Sequence, residues 1–236
     1  DPTTSNFMIL DKLYAIDFGL SSFDDDEKTK TIMMVTRYGR IKKTSLEEFR
    51  RPLRKGKRAL TINEGDEIIS ANILHGDNTI LLISKNGMCI HFHESDIRTM
   101  GRMAAGVRGI RLKDDDHLVG ALVVTSDASI LTVTENGFGK RSPVSEYRIQ
   151  KRGGKGVFGI KRSERNGDII GAMQVYDNDE VILIADTGKM IRMDLSTLRI
   201  IGRTTQGVKL INLEEGEKVV AMDTVAIEDS EDDESD

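Results

Sequence analysis

The sequence predicts an all-β fold in which four units of about 50 residues stack as a propeller-like array. A turn signal recurs around Gly39, Gly87, Gly137 and Gly188, whose spacings are 48, 50 and 51 residues. A short apolar run precedes each turn, and no long helical periodicity competes with these runs. Units of about four short strands cannot bury both faces alone, so we expect them to stack on one another.

Each turn is predicted to open a β-hairpin. The turns at Gly87 and Gly137 read Asn-Gly, and the tight form of this turn holds both central residues at positive φ. Ser45 begins a capping-box pattern, and Ser142 is predicted to be a helix N-cap because proline follows it. These patterns predict a single helical turn before a large apolar residue that stands ten residues after each turn glycine. The four predicted buried plugs are Phe49, Ile97, Tyr147 and Leu198.

A second glycine follows in every unit, and an apolar strand closes the unit. The second glycines are Gly56, Gly106, Gly156 and Gly207. The pattern places the four blades at residues 31–78, 79–128, 129–179 and 180–227. Residues 1–30 are interpreted as the closing strand of a preceding incomplete blade, at 11–16, plus an acidic loop. Residues 228–236 contain seven acids and no base, which predicts a disordered acidic tail.

The composition narrows the class of protein. Among 236 residues, 38% are hydrophobic and 31% are charged, which predicts a globular chain. No uninterrupted apolar run is long enough to cross a bilayer, and residues 1–9 lack the features of a secretory signal. The single cysteine cannot form an internal disulfide. We therefore expect a soluble protein of the reducing cytoplasm.

The net charge of −5 is unevenly distributed along the chain. Acids concentrate at both ends, so residues 32–227 carry a net charge of +6. Residues 37–58 contain ten Lys or Arg against two acids, and residues 140–165 contain nine against two. Such local basic charge attracts a polyanion even when the whole chain is acidic.

The segment at residues 150–156 is the leading candidate site. Its glycines allow backbone N–H groups to approach a phosphate, and its cations supply charge and a bidentate fork. The alternative is a solvated loop in which Gly156 is merely the second turn glycine of its repeat. This alternative explains Gly156 but does not explain Lys151, Arg152, Gly153 or Lys155. The seven candidate residues are Gln150, Lys151, Arg152, Gly153, Gly154, Lys155 and Gly156.

Further cations recur at matching repeat positions and predict a shared basic rim, although a charge run is often only a solvated face. Four residues after each turn glycine stand Lys43, His91, Arg141 and Arg192, which we interpret as a basic face. Arg98 and Arg199 extend the rim in the second and fourth units. The remaining candidates for phosphate contact are Lys42, Arg50, Arg51, Arg54, Lys55, Lys57, Arg58, Arg102, Arg108, Lys140 and Arg203.

Other kinds of site are less well supported by the residues. Residues 154–159 fit the dinucleotide fingerprint, but a strand-like pattern follows them where that fingerprint requires a helix. Cys89, His91 and His93 share one face of a strand, yet a metal site needs more ligands. No nucleophile has an obvious base, and Tyr147 aligns with the apolar plugs. Because aromatic residues are scarce, double-stranded DNA is a better candidate partner than single strands. We expect no cofactor, metal or catalytic residue in this domain.

Residues 150–156 resemble the Q-R-R-G-G-K-G box of the C-terminal domain of the bacterial DNA gyrase A subunit. Residues 132–141, 106–112 and 201–208 resemble later repeats of that domain, as does the acidic tail. The resemblance implies a β-pinwheel of four-stranded blades that exchange strands and wrap duplex DNA around a basic outer edge. It also implies a parent ATP-dependent type II topoisomerase, in which the protein partners are the rest of the gyrase A protein and the gyrase B protein. In that enzyme the catalytic residues lie outside this domain, and wrapping supports negative supercoiling.

The sequence departs from the family pattern in two respects. The family has six blades with the box in the first, whereas here four units and a partial one are present, with the box in the third. Lys151 stands where arginine is usual. Two alternatives therefore stay open: the related domain of topoisomerase IV, whose box is degenerate, and a propeller scaffold for protein partners, which predicts neutral rims and aromatic contacts.

Overall fold

The computed structural model describes residues 29–50 and 56–225, which form four antiparallel β-sheets. Each sheet is built around a hairpin and the closing strand that follows it. The hairpin strands are β1 (Thr31–Thr36), β2 (Arg40–Ser45), β4 (Thr79–Ser84), β5 (Met88–His93), β8 (Ser129–Thr134), β9 (Phe138–Pro143), β12 (Glu180–Ala185) and β13 (Met190–Asp194). The closing strands are β3 (Ile68–Leu74), β7 (Leu118–Val124), β11 (Ile169–Val175) and β15 (Val219–Val225).

Short strands join neighbouring repeats. They are β6 (Val107–Arg108), β10 (Val157–Phe158) and β14 (Val208–Lys209), and each pairs with the hairpin of the preceding repeat. The first sheet has the order β3-β1-β2-β6, and the next two sheets follow the same plan. Within the described residues the fourth sheet has three strands, in the order β13-β12-β15. A four-stranded sheet therefore combines strands from two sequence repeats.

The hydrophobic core lies in the seams between successive sheets. Ile41 and Leu82 belong to a cluster between the first and second sheets, and Leu131 and Leu183 to one between the third and fourth. The closing strands contact one another, β3 with β7, β7 with β11 and β11 with β15. Since the closing strands meet at the inner side of the array, the short strands at the other end of each sheet form its outer edge.

The hairpin turns differ from the tight form that Asn-Gly predicts. Gly39 N–H donates to the carbonyl of Thr36 at 3.0 Å, and Gly87 makes the equivalent bond to Ser84 at 2.9 Å. All four turn glycines have positive φ, whereas no described non-glycine residue does. Each turn is thus a type I turn followed by a left-handed glycine, and the prediction of positive φ at Asn86 and Asn136 is wrong.

A single 3-10 turn lies before or at each plug, as predicted. The four turns span Leu46–Phe49, Glu94–Asp96, Val144–Glu146 and Leu195–Thr197. Ile97, Tyr147 and Leu198 are buried, and Phe49 is half-buried. Ser45 caps its turn by accepting from Glu47 N–H at 3.3 Å.

The predicted cap at Ser142 is wrong. Pro143 occupies the cap position, and the Ser142 hydroxyl donates to the carbonyl of Ile201 at 2.7 Å.

Several predictions fall outside the described residues. They concern the closing strand at residues 11–16, most of the acidic loop, the acidic tail and three cations, Arg51, Arg54 and Lys55. Among the described residues, no helix is long and apolar enough to cross a bilayer.

Candidate nucleic-acid interface

Exposed cations stand at the repeat position that the short strands of the outer edge occupy. Two residues after the second glycine of each repeat stand Arg58, Arg108, Phe158 and Lys209, and all four are exposed. Cross-strand pairing holds Arg108 opposite Arg40 and Lys209 opposite Phe138. Three of the four repeats therefore present a cation at this position of the outer edge.

A second series of exposed cations follows the plugs. An arginine stands eleven residues after every turn glycine, and all four are exposed. Within the described part of the chain, Arg98, Arg148 and Arg199 form no ion pair, while Arg50 bonds Glu47 at 3.3 Å. Sequence reasoning missed Arg148, although its recurrence at this spacing is a readable signal. The arginine series comprises Arg50, Arg98, Arg148 and Arg199.

Two lysines of the candidate box face solvent. The Lys151 side chain is 90% exposed, and its Nζ lies 2.8 Å from Asp96 Oδ1. Lys155 is exposed and has no ion pair among the described residues. An exposed ion pair of this kind contributes little and is easily exchanged, so both lysines can meet a phosphate.

The rest of the box packs against residues of the second repeat. Arg152 Nε donates to the carbonyl of Asp96 at 2.7 Å, and Gly153 N–H donates to that of Gly109 at 2.6 Å. The Gly154 carbonyl accepts from Arg111 N–H at 2.8 Å. The Gln150 N–H donates to the carbonyl of His91 at 2.7 Å. The structure thus gives Arg152, Gly153, Gly154 and Gln150 a structural explanation that the sequence did not.

Gly156 is required by the backbone. Its φ is +76°, and a Cβ at this position would lie 2.2 Å from the carbonyl oxygen of Cys89. The role of Gly156 as the second turn glycine of its repeat therefore explains why a glycine stands there, and no contact with a phosphate is needed to explain it.

Three arginines predicted to contact DNA also join adjacent repeats. Arg102 NH1 donates to the carbonyl of Arg58 at 3.0 Å, and Arg152 NH1 to that of Arg108 at 3.1 Å. Arg203 makes the equivalent bond to Phe158. All three arginines are half-buried and bonded to backbone, so each has a structural role in joining repeats beside its predicted DNA contact.

The predicted basic face also lies largely in the seams. Lys43 Nζ is 3.1 Å from Glu94 Oε1, and Arg141 NH1 is 2.9 Å from Asp177 Oδ1. Both Lys43 and Arg141 are buried, as is His91, whose Nδ1 lies 2.7 Å from the Tyr147 carbonyl oxygen. Arg192 is exposed but is neutralised by Glu180. Burial and pairing therefore remove Lys43 and Arg141 from the candidate interface.

Lys42 and Lys140 are fully buried, which corrects their prediction as DNA contacts. Lys42 Nζ donates to the carbonyl of Ala59 at 2.7 Å, and Lys140 Nζ to that of Gly202 at 3.1 Å. Burial lowers the pKa of both ammonium groups, that of Lys140 to about 8. A phosphate cannot reach either side chain without opening the seam.

Lys57 and Arg58 are the remaining predicted cations of the first repeat that the structure describes. Lys57 is half-buried and its Nζ donates to the carbonyl of Glu48 at 3.3 Å, whereas Arg58 is exposed.

The described residues contain no group of three or more His, Cys, Asp or Glu arranged to hold a metal ion. Burial raises the pKa of the Cys89 thiol to about 12.

Comparison with protein families identifies one match. The family described as DNA gyrase C-terminal domain, beta-propeller, matches residues 30–75, 78–125, 128–175 and 179–226. The chain is 44% identical over 200 residues to the DNA gyrase A subunit of Klebsiella oxytoca, covering 85% of this chain and 23% of that protein. It is 56% identical over 194 residues to the DNA gyrase A subunit of Buchnera aphidicola subsp. Acyrthosiphon pisum, covering 82% and 23%. The chain thus spans about a quarter of the length of these relatives.

Two solved structures share the fold. A DNA gyrase A C-terminal domain matches with a TM-score of 0.75 and 27% identity, over 86% of this chain and 68% of the other. The C-terminal domain of DNA topoisomerase IV matches with a TM-score of 0.80 and 26% identity, over 86% and 64%. Both comparisons agree with the repeated antiparallel sheets described above.

Proposed function

The chain belongs to the DNA gyrase C-terminal domain family, and from this membership we propose that it binds duplex DNA along its outer edge and wraps it. The observation that carries the proposal is the exposed arginine series, with one member in each repeat. Phosphates are the ligands that such a series suits, because guanidinium groups bind them bidentately. The contacts go to the backbone of DNA, so little sequence preference is expected.

The repeat supplies the geometry for wrapping. Exposed cations on the short strands and after the plugs recur from one sheet to the next, and Lys151 and Lys155 lie between these two series in the third repeat. A duplex that followed successive outer edges would have to bend, and every added phosphate contact helps to offset the cost of bending.

Within a full-length gyrase A protein, this wrapping would support negative supercoiling by an ATP-dependent type II topoisomerase. The protein partners are then the rest of that gyrase A protein and the gyrase B protein, and other parts of the enzyme carry out catalysis. A rim of exposed cations is less suited to the protein-scaffold alternative, which favours aromatic and apolar contacts.

Duplex binding is tested by its dependence on salt. If about six phosphates are neutralised, log K should fall against log salt with a slope near −5. The measurement is a titration of a labelled duplex at several salt concentrations. A slope near zero would contradict the proposal.

The arginine series is tested with two charge-matched variants. Arg148→Ala with Arg199→Ala should make the slope shallower by about 1.8, since each phosphate contact contributes about 0.9. Arg37→Ala with Lys189→Ala removes two cations that Glu67 and Glu217 already neutralise, and should leave the slope nearly unchanged. Equal losses in both variants would place the DNA elsewhere on the surface.

Wrapping is tested separately from binding. Closed circular DNA is relaxed by a type I topoisomerase in the presence of the protein, and the linking number is read after the protein is removed. A shift in one direction supports chiral wrapping. Binding without any shift would retain the DNA-binding proposal but favour the topoisomerase IV alternative, in which the domain selects DNA rather than wrapping it for supercoiling.

A further inference from the structure

Phe158 interrupts the cationic pattern of the outer edge. It stands at the repeat position where the other units have Arg58, Arg108 and Lys209, and it is 60% exposed. Among the described residues no other phenylalanine is exposed. An aromatic ring here cannot bind a phosphate, so its contact with a duplex on this edge must differ from that of its equivalents.

The backbone that carries this ring is held firmly in place. Phe158 in β10 pairs with Met88 of β5, and the Phe158 carbonyl accepts a hydrogen bond from Arg203 of the next repeat. The glycines on both sides pack closely, since a Cβ at Gly156 or Gly159 would overlap Cys89. The strand that carries the ring therefore has little backbone freedom to lose when the ring contacts a ligand.

Cations surround the position along the proposed DNA path. Arg108 and Lys209 stand on the short strands before and after it, and Lys155 lies three residues upstream. Phosphates held by these cations would leave a groove of the duplex facing the ring. Apolar side chains presented in this way insert at base steps and localise a bend.

We propose that Phe158 acts as an apolar wedge that enters a groove of the bound duplex and favours an easily unstacked base step there. This inference rests on the proposed duplex binding. Pyrimidine–purine steps such as TA unstack and kink most readily, whereas A-tracts are stiff. The wedge therefore gives an otherwise sequence-tolerant surface a preference for flexible DNA.

The test compares two duplexes of equal length, one with a central TA step and one with a central A-tract. The parent protein should bind the TA duplex about tenfold more tightly, the factor expected when a phenylalanine is largely buried. Phe158→Ala should lose this preference while keeping its affinity for the A-tract duplex. Phe158→Leu should keep most of the preference, because leucine is also an apolar wedge.

Two further variants make the result specific. Phe158→Lys, which copies Lys209, should lose the preference and steepen the salt slope by about 0.9. Tyr176→Ala removes an exposed aromatic residue beside closing strand β11, away from the outer edge, and should behave as the parent. The wedge is overturned if the parent binds both duplexes equally or if Phe158→Ala retains the preference. Absence of binding to either duplex would instead overturn the proposed function.

Discussion

Lys43 and Glu94 form a buried ion pair across the seam between the first two repeats, with Nζ and Oε1 3.1 Å apart. Lys43 also donates to the carbonyl of Glu94, and Glu94 Oε2 accepts from Asn78 N–H. The pair is therefore hydrogen-bonded on both sides. Loss of either partner leaves the other charge buried without compensation.

Lys43→Met or Glu94→Gln should each lower the free energy of unfolding by about 3 kcal/mol, the usual cost of breaking a buried pair. Chemical denaturation measures this change. Arg37→Met breaks the exposed pair with Glu67 and should cost less than about 1 kcal/mol. Since Lys43 is buried, its loss should not alter the salt slope of DNA binding. If a folded Lys43→Met protein instead showed a much shallower dependence of DNA binding on salt, Lys43 would have to contact DNA.

The cations of the box should separate into two functional groups. Lys151→Ala with Lys155→Ala should reduce bending of a labelled duplex at saturating protein, with little change in thermal stability, because both side chains are exposed. Arg152→Ala should cost about 2 kcal/mol of stability, because its guanidinium binds two carbonyls of the second repeat. End-to-end energy transfer and thermal unfolding measure the two effects. Destabilisation by the lysine pair, or a fully stable Arg152→Ala, would refute this division.

The repeat explains why the fold is readable from the sequence. Four glycines at nearly equal spacing locate the hairpins, and the plugs follow by alignment alone. The same alignment does not tell which face of a strand is covered, because that depends on how neighbouring sheets stack. Lys43 and Arg141 therefore look like a basic face in sequence but lie in seams.

Side-chain partners from another repeat are also hidden from a single sequence. Arg152 bonds to residues 44 and 56 positions away, a pairing that no local pattern reveals. Arg148 is the opposite case: its spacing from the turn glycine would have been sufficient to predict it, although the sequence interpretation missed it. The sequence predicts that the outer edge is rich in cations. Only the packing of neighbouring repeats shows which of these cations are exposed and which bond to the backbone of another repeat.

Gly156→Ala should destabilise the protein by at least about 2 kcal/mol, because alanine is strained at positive φ and its Cβ would overlap the Cys89 carbonyl. Gly101→Ala is the matched control, since its φ lies outside the left-handed range and its Cβ would meet open space. Thermal and chemical unfolding compare the two variants. Similar stability of both would mean that the second turn can adopt another conformation.

The seam between the second and third repeats should weaken as the pH falls. Burial lowers the pKa of His91 below its usual value, with a smaller opposing effect of its bond to the Tyr147 carbonyl and a further lowering from His93. Nδ1 is the donor to that carbonyl, and Nε2 is buried without a partner within the described structure. Protonation of Nε2 would therefore bury a positive charge that no hydrogen-bond acceptor stabilises.

The sign follows from proton binding in the two states. Below about pH 6.5 the unfolded chain takes up a proton that folded His91 resists, so the free energy of unfolding declines as the pH falls through this range. The contribution of neutral His91 to the free energy of unfolding is fully retained above this range. His91→Gln should flatten the decline between about pH 7.5 and 5.5, measured by chemical denaturation. His117, whose pKa is also lowered by burial, should account for a remaining part, which His117→Gln tests. If His91→Gln keeps the full pH dependence of the parent, His91 is already free to accept a proton in the folded state.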